Sequence, residues 1–374
     1  MAKINSTDKA SKKLTLNNSR QTQCSLWTVA SSTMLPKLLQ FSLFNGPNPL
    51  SSPIDDNQWQ LLFDESKHQA VTALLYDALL KLPPNHLPNK KILFRFTSSV
   101  QTIENDNRIR EKALLDFANF LTTKKILTNT TELLVVKGSA QAKLYPEPLH
   151  RECGDNDLYT GNYTENIANI IENQGIFVER KDPRHISFFF ENVNFECHNY
   201  LLYNSDDPSW TSMPLVLDNS CTQLSQLTPE LAAFFLAKHT EHHAVFFHQP
   251  VRLRDLVDWS LLLSSDNFNH KEFSNIKQKT DVDIFANLMS AYCNKLFGLE
   301  LPAVLSNVLS ANDFEKLYMY CPPRHRLAAV RVLQRSLKYL RFQTKYKAVY
   351  GQSMFRRFYL KNLKTALKNK LKRG

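Results

Sequence analysis

Glycine is scarce and unevenly placed in this chain, and its distribution constrains the fold more than any other feature. Only eight glycines occur in 374 residues, and four of them (Gly138, Gly154, Gly161, Gly175) fall within one span of 38 residues. Glycine is the default where backbone turns sharply or approaches another group closely. Tight turns are therefore concentrated in one short segment, while the rest is rich in helix formers. The pattern predicts an α+β protein, with a small mixed β-sheet core flanked by N-terminal and C-terminal helical regions. The expected organisation is a disordered leader at 1–21, an N-terminal helical region at 22–125, the α/β core at 126–205, a C-terminal helical domain at 206–320 and a basic helical tail at 321–374.

The glycine-bearing segment carries the chemistry. An apolar strand over Leu133–Val136 runs through Lys137 into Gly138-Ser139, and a short helix follows over Ser139–Leu144, stopped by Tyr145-Pro146-Glu147-Pro148. A second strand over Asp155–Thr160 carries Asp155 and Asp157, which the period of two places on one side. Thr164 is positioned to cap a helix over 164–174, closed by Gly175. Strands over Phe177–Arg180, Ile186–Phe190 and Val193–Tyr200 follow, the last two forming a hairpin at Glu191-Asn192, and Glu196 lies on the third. Two carboxylates this close repel each other and raise one pKa. A hard divalent cation, Mg²⁺ or Mn²⁺, relieves that repulsion and keeps positions for water and phosphate oxygens. Glu196, on a strand able to lie beside the first, completes a two-metal set. Gly138 lets backbone approach a phosphate, Ser139 opens a helix whose free N–H groups favour an anion, and Lys137 and Arg151 are the nearest cations.

Elsewhere, three- and four-residue apolar spacings predict helices across 56–82 and 90–125. After Thr228-Pro229-Glu230, further helices are expected at 251–264, 271–280, 282–297 and 312–320. The longest apolar run, Ala232–Ala237, is too short to span a bilayer, and the polar N-terminus lacks the apolar stretch of a secretory signal. Six dispersed cysteines form no Cys-x-x-Cys pair, which argues against a zinc finger or a disulfide scaffold and fits a reducing cytoplasm. The net charge of +11 belongs to the tail. Leu317–Gly374 holds sixteen of the 46 Lys and Arg and no Asp or Glu, so the remaining 30 bases are outnumbered by 35 acids.

The order strand, Gly-Ser, helix, Asp-x-Asp, helix, distal acid resembles the polymerase-β-like nucleotidyltransferase superfamily. It is most similar to a poorly characterised bacterial nucleotidyltransferase family within it. The residues that carry the likeness are Val136-Lys137-Gly138-Ser139, Tyr145-Pro146, Arg151, Gly154-Asp155-Asn156-Asp157-Leu158, Gly175, His185 and Glu196-Cys197-His198. It extends to Trp59–Tyr76 and to Ala232–His239 with Leu253–Trp259, covering about residues 55–300. Asn156 departs from it, replacing the usual apolar residue between the aspartates, as do the polar Tyr159 and Thr160. The resemblance implies that Asp155 and Asp157 bind metal, that Glu196 binds the second metal or acts as base, and that Gly138 and Ser139 hold the β and γ phosphates. It implies transfer of a nucleoside monophosphate from an NTP such as ATP to an acceptor hydroxyl, with release of pyrophosphate. The acceptor could be RNA, protein or a small molecule.

Two further features invite other readings. His239, His242, His243 and His248 suggest zinc, but Thr240 stands where a zinc-protease helix needs Glu. His239 matches a family histidine and could line the cleft, as could His185 and His198; a hydrogen bond from His239 to Asp258 is the structural counterpart. The tail over 324–373 reads as a solvated helical cap. It could also contact nucleic acid, with Tyr339, Phe342, Tyr346, Phe355, Phe358 and Tyr359 for stacking, or lie on anionic membrane. A rival function is therefore a non-catalytic nucleotide-sensing or RNA- or membrane-binding module.

Overall fold

The computed structural model describes residues 31–128, 133–182, 185–200, 217–218, 224–246, 249–280, 282–319, 337 and 341–351. The expected leader lies outside these residues, as do His248 and most of the basic tail.

Four helices open the described chain: α1 (Ser31–Leu43), α2 (Asp56–Gln69), α3 (Thr72–Lys81) and α4 (Lys90–Thr123). Asp55 starts α2 with a reciprocal cap, its carboxylate accepting from Gln58 N while the Gln58 side chain accepts from Asp55 N. Ala70, in the left-handed region at φ 55°, separates α2 from α3 within the helices expected across 56–82. Asn89 caps α4 by accepting from Ile92 N.

The 34-residue α4 is about 50 Å long and joins two apolar cores. Its first half places Ile92 and Phe96 in a large helical core with Trp59, Phe234, Trp259 and Phe285. Its second half places Leu114, Phe117 and Leu121 in a smaller core with Leu158, Ile167, Ile171, Phe188 and Phe195.

The sheet lies between the two cores. Strands β1 (Leu134–Val135), β2 (Asn156–Tyr159), β3 (Glu179–Asp182), β4 (His185–Phe190), β5 (Val193–His198), β6 (Leu217–Asp218) and β7 (Ser225–Leu227) are ordered β3-β4-β5-β2-β1-β7-β6. Along β1 and its flanks the side chains alternate: Leu134 and Val136 enter the helical core, Leu133 and Val135 the smaller one. β2 pairs parallel with β5 and antiparallel with β1, and β7 pairs parallel with β1. The hairpin at Glu191-Asn192 forms as expected, with both residues at positive φ.

Three features differ from the sequence reading. The sheet takes in β6 and β7, beyond the expected 126–205 limit of the core. The helix after Gly138, α5 (Ser139–Ala142), is a single turn. Thr164 is the first residue of α6 (Thr164–Asn173) rather than its cap; its hydroxyl donates to Gly161 O at 2.7 Å.

The C-terminal helices α7 (Pro229–Phe246), α8 (Leu253–Leu263), α9 (His270–Gln278), α10 (Asp283–Phe297) and α11 (Ala311–Phe314) close the helical core, and a π-helical turn follows at Glu315–Met319. Of the tail, α12 (Gln343–Tyr350) packs on that core. Tyr346, proposed above as a stacking residue, is buried there, and Tyr350 hydrogen-bonds Tyr318 through their hydroxyls at 2.8 Å. Among the described residues no helix is long and apolar enough to cross a membrane.

Candidate active site

The parallel pairing of β2 with β5 builds the centre of the site. Asp157 and Glu196 are direct Cα partners across these strands, and Asp155 precedes β2 by one residue. One carboxylate oxygen from each of Asp155, Asp157 and Glu196 lies within 4.8 Å of the others. The three acids predicted from the sequence do converge.

Gly138 brings the β1–α5 turn against this cluster. Val136 N donates to Asp157 O at 3.0 Å, which registers the turn on β2. Gly138 has φ 85° and ψ −106°, a conformation open to glycine, and a Cβ there would sit 3.5 Å from Asp155 O. Because α5 is one turn long, its dipole contributes little, and the helix end expected at Ser139 offers little to an anion.

Lys137 points inward. Its Nζ is 3.1 Å from Asp157 Oδ2 and 3.2 Å from His239 Nε2. Burial opposes ionisation of Asp157, but Lys137 and the hydrogen bond from His198 outweigh it and hold the carboxyl far below its usual range. Burial and the charges of Lys137 and His243 keep His239 neutral, so its Nε2 accepts from the lysine. His239 therefore lines the cleft and does not meet Asp258.

Arg151 has a different place from the one expected. It is buried and forks onto Asp258 through Nε (2.8 Å) and Nη2 (2.7 Å), while Nη1 meets Cys153 Sγ at 3.2 Å. Tyr145 donates its hydroxyl to Asp258 Oδ1 at 2.6 Å. The guanidinium lines the cavity with its charge paired to Asp258, as a strut in the cleft wall.

His198 Nε2 lies 3.1 Å from Asp157 Oδ1 and 3.7 Å from Glu196 Oε2, and His185 Nε2 lies 3.8 Å from Glu196 Oε2. Cys197, between Glu196 and His198, faces the other way into the smaller core. Asn156 likewise points away from the site. It is buried, and its Nδ2 makes one long 3.4 Å hydrogen bond to Arg110 O of α4.

Above the acids opens a cavity of about 300 Å³, lined among others by Lys137, Gly138, Asp155, Asp157, His239 and Arg254. Sequence reasoning missed Arg252 and Arg254, which add basic character to its far wall. The available signal was spacing: Arg254 and Asp258 stand four residues apart on α8, so one helical face presents both.

The donor set fits a hard divalent cation. All three carboxylates offer oxygen, and Asp157 Oδ2 is buried without a hydrogen bond despite its ion pair with Lys137. Burial and the neighbouring aspartates raise Glu196 to about 7, and burial and Asp157 raise Asp155. A dication would relieve both the repulsion and the unmet oxygen.

A mixed sheet with a glycine turn beside three carboxylates, on and just before adjacent strands, places the chain in the nucleotidyltransferase class of fold. A model of the family described as uncharacterised nucleotidyltransferases matches residues 55–298, and the chain belongs to that family. No curated protein and no solved structure matches the chain.

Proposed function

We propose that this protein is a Mg²⁺-dependent nucleotidyltransferase that moves a nucleoside monophosphate from an NTP to an acceptor hydroxyl and releases pyrophosphate. The observation that carries the reading is the convergence of Asp155, Asp157 and Glu196 beside the Gly138 turn. Asp155, Asp157 and Glu196 would hold the metal, which when bound supplies positive charge to the α-phosphate and to the attacking and leaving oxygens.

The chain's own residues do the rest. Gly138 admits the triphosphate to within backbone reach. Lys137, steadied by neutral His239, offsets phosphate charge at the floor, while Arg252 does so from the opposite wall, beside Arg254, whose guanidinium is held by Asp255 and Glu152 O. Glu196, with its raised pKa, is poised near neutral pH to accept the acceptor's proton when it is not a ligand.

The test is metal-dependent transfer of label from α-labelled NTP into a cell-extract acceptor. Transfer is expected with the native protein and is lost in the Asp155→Asn/Asp157→Asn double variant. Undiminished transfer by that variant would overturn the reading.

A further inference from the structure

Glu196 belongs to two clusters, and the second one contains nitrogen. His185, Glu196 and His198 each offer a ligand atom, and these atoms all lie within 4.8 Å of one another. The sheet produces this arrangement. Glu196 and His198 are two residues apart on β5 and share a face, while His185 is the Cα partner of His198 across the antiparallel β4–β5 pair. The two rings sit 5.0 Å apart, tilted, with both Nε2 atoms toward Glu196 Oε2.

The separations suit ligands of one ion. Bonds of about 2.0–2.2 Å put adjacent donors of a tetrahedral or octahedral ion about 3–3.5 Å apart. The Nε2 of His198 is 3.7 Å and the Nε2 of His185 is 3.8 Å from Glu196 Oε2. A few tenths of an ångström of side-chain closure would bring these three donors to one centre. The side chains are partly buried, so the rings are held while the centre stays accessible.

We infer that His185, Glu196 and His198 form a nitrogen-containing subsite for a borderline first-row dication such as Zn²⁺, with Mn²⁺ as its paramagnetic stand-in, beside the all-oxygen Mg²⁺ position. Imidazole suits such ions, whereas Mg²⁺ prefers oxygen and sheds water reluctantly. Three protein donors, two of them imidazole, also let the subsite hold its ion without nucleotide. An ion bound only through two carboxylates would instead need substrate phosphates to complete its shell. The subsite's role in catalysis rests on the proposed nucleotidyl transfer; its metal binding does not.

The experiment uses untagged, nucleotide-free full-length protein loaded with Mn²⁺ and examined by pulsed electron paramagnetic resonance. Modulation from directly bound imidazole nitrogen is expected. It should weaken in His185→Gln and in His198→Gln, with the Mn²⁺ Kd rising at least about tenfold. Bound Mn²⁺ without nitrogen coupling, or no Mn²⁺ bound before nucleotide is added, would overturn the subsite and leave the histidines as hydrogen-bonding clamps on the acids. The native-protein spectrum decides this even if a variant misfolds. Nitrogen coupling without label transfer sustains the subsite and removes the proposed reaction; label transfer without nitrogen coupling does the reverse.

Discussion

Asp157 and Glu196 face one another across the parallel β2–β5 pair, as direct Cα partners, although 39 residues separate them in the chain. Their opposite electrostatic states follow from their neighbours. Lys137 and His198 hold Asp157 ionised, and that fixed charge, together with burial, pushes the Glu196 carboxyl up to about 7. A cation entering the site therefore competes with protons on Glu196 and Asp155 rather than on Asp157.

That competition gives a pH dependence with a definite sign. Glu196 is raised above its ordinary value, so its contribution to the stability of the metal-free fold is present at low pH and is lost as pH rises from about 4.5 to about 7. Metal needs the ionised form, so its binding tightens over the range ending near 7 and then levels. The rise in Tm on adding Mg²⁺ should be larger at pH 8 than at pH 6, measured by thermal scanning at fixed ionic strength. An equal rise at both values would contradict the assignment of Glu196 as ligand.

The Arg151–Asp258 fork is the second test. Both partners are buried, and Tyr145 adds a third contact on the same carboxylate. Removing one partner strands a buried charge, so Asp258→Ala should cost about 3–5 kcal/mol in urea unfolding. An Arg151→Met/Asp258→Leu double variant should recover a large part of that loss. Equal destabilisation in single and double variants would show that the fork is not a coupled pair.

The sequence made the acids and the glycine turn legible because their spacing is local: Asp155 and Asp157 are two residues apart, and Gly138 follows its strand directly. The hairpin at Glu191-Asn192 was legible for the same reason. What it hid is non-local. The Arg151–Asp258 contact spans 107 residues and the Lys137–His239 contact 102. No pattern near Arg151 signals that a carboxylate from α8 will pair with its guanidinium. Strands β6 and β7 escaped notice because two and three residues cannot display a period of two. Their place in the sheet is set by pairing with β1, not by their own sequence.

Asn156 offers a stabilising substitution. It is buried, holds one long hydrogen bond, and adjoins a cavity of about 130 Å³ lined also by Leu114, Val135 and Leu224. Asn156→Val exchanges a poorly satisfied amide for apolar contact and should stabilise by ~0.5–1 kcal/mol in denaturant unfolding, with label transfer unchanged. A loss of stability would mean that the Arg110 contact is worth more than its geometry indicates.

Gly138→Ala tests the phosphate turn. The added Cβ meets only an ordinary 3.5 Å contact with Asp155 O, so the penalty comes from the positive φ, about 1–2 kcal/mol. The methyl group would also occupy the surface offered to phosphate. The NTP KM should rise about tenfold or more, a loss of at least ~1.4 kcal/mol in binding, while Mg²⁺ binding to the free protein stays near native. An unchanged KM would remove Gly138 from the nucleotide site.

The most direct measurement is a comparison of donors labelled at the α or the γ phosphate, each incubated with Mg²⁺, native protein and cell extract. The account predicts α-label joined covalently to an acceptor, γ-label recovered only in pyrophosphate, and loss of both signals by about 10²-fold or more in Asp157→Asn. Appearance of γ-label on the acceptor, or full α-label transfer by Asp157→Asn, would contradict it.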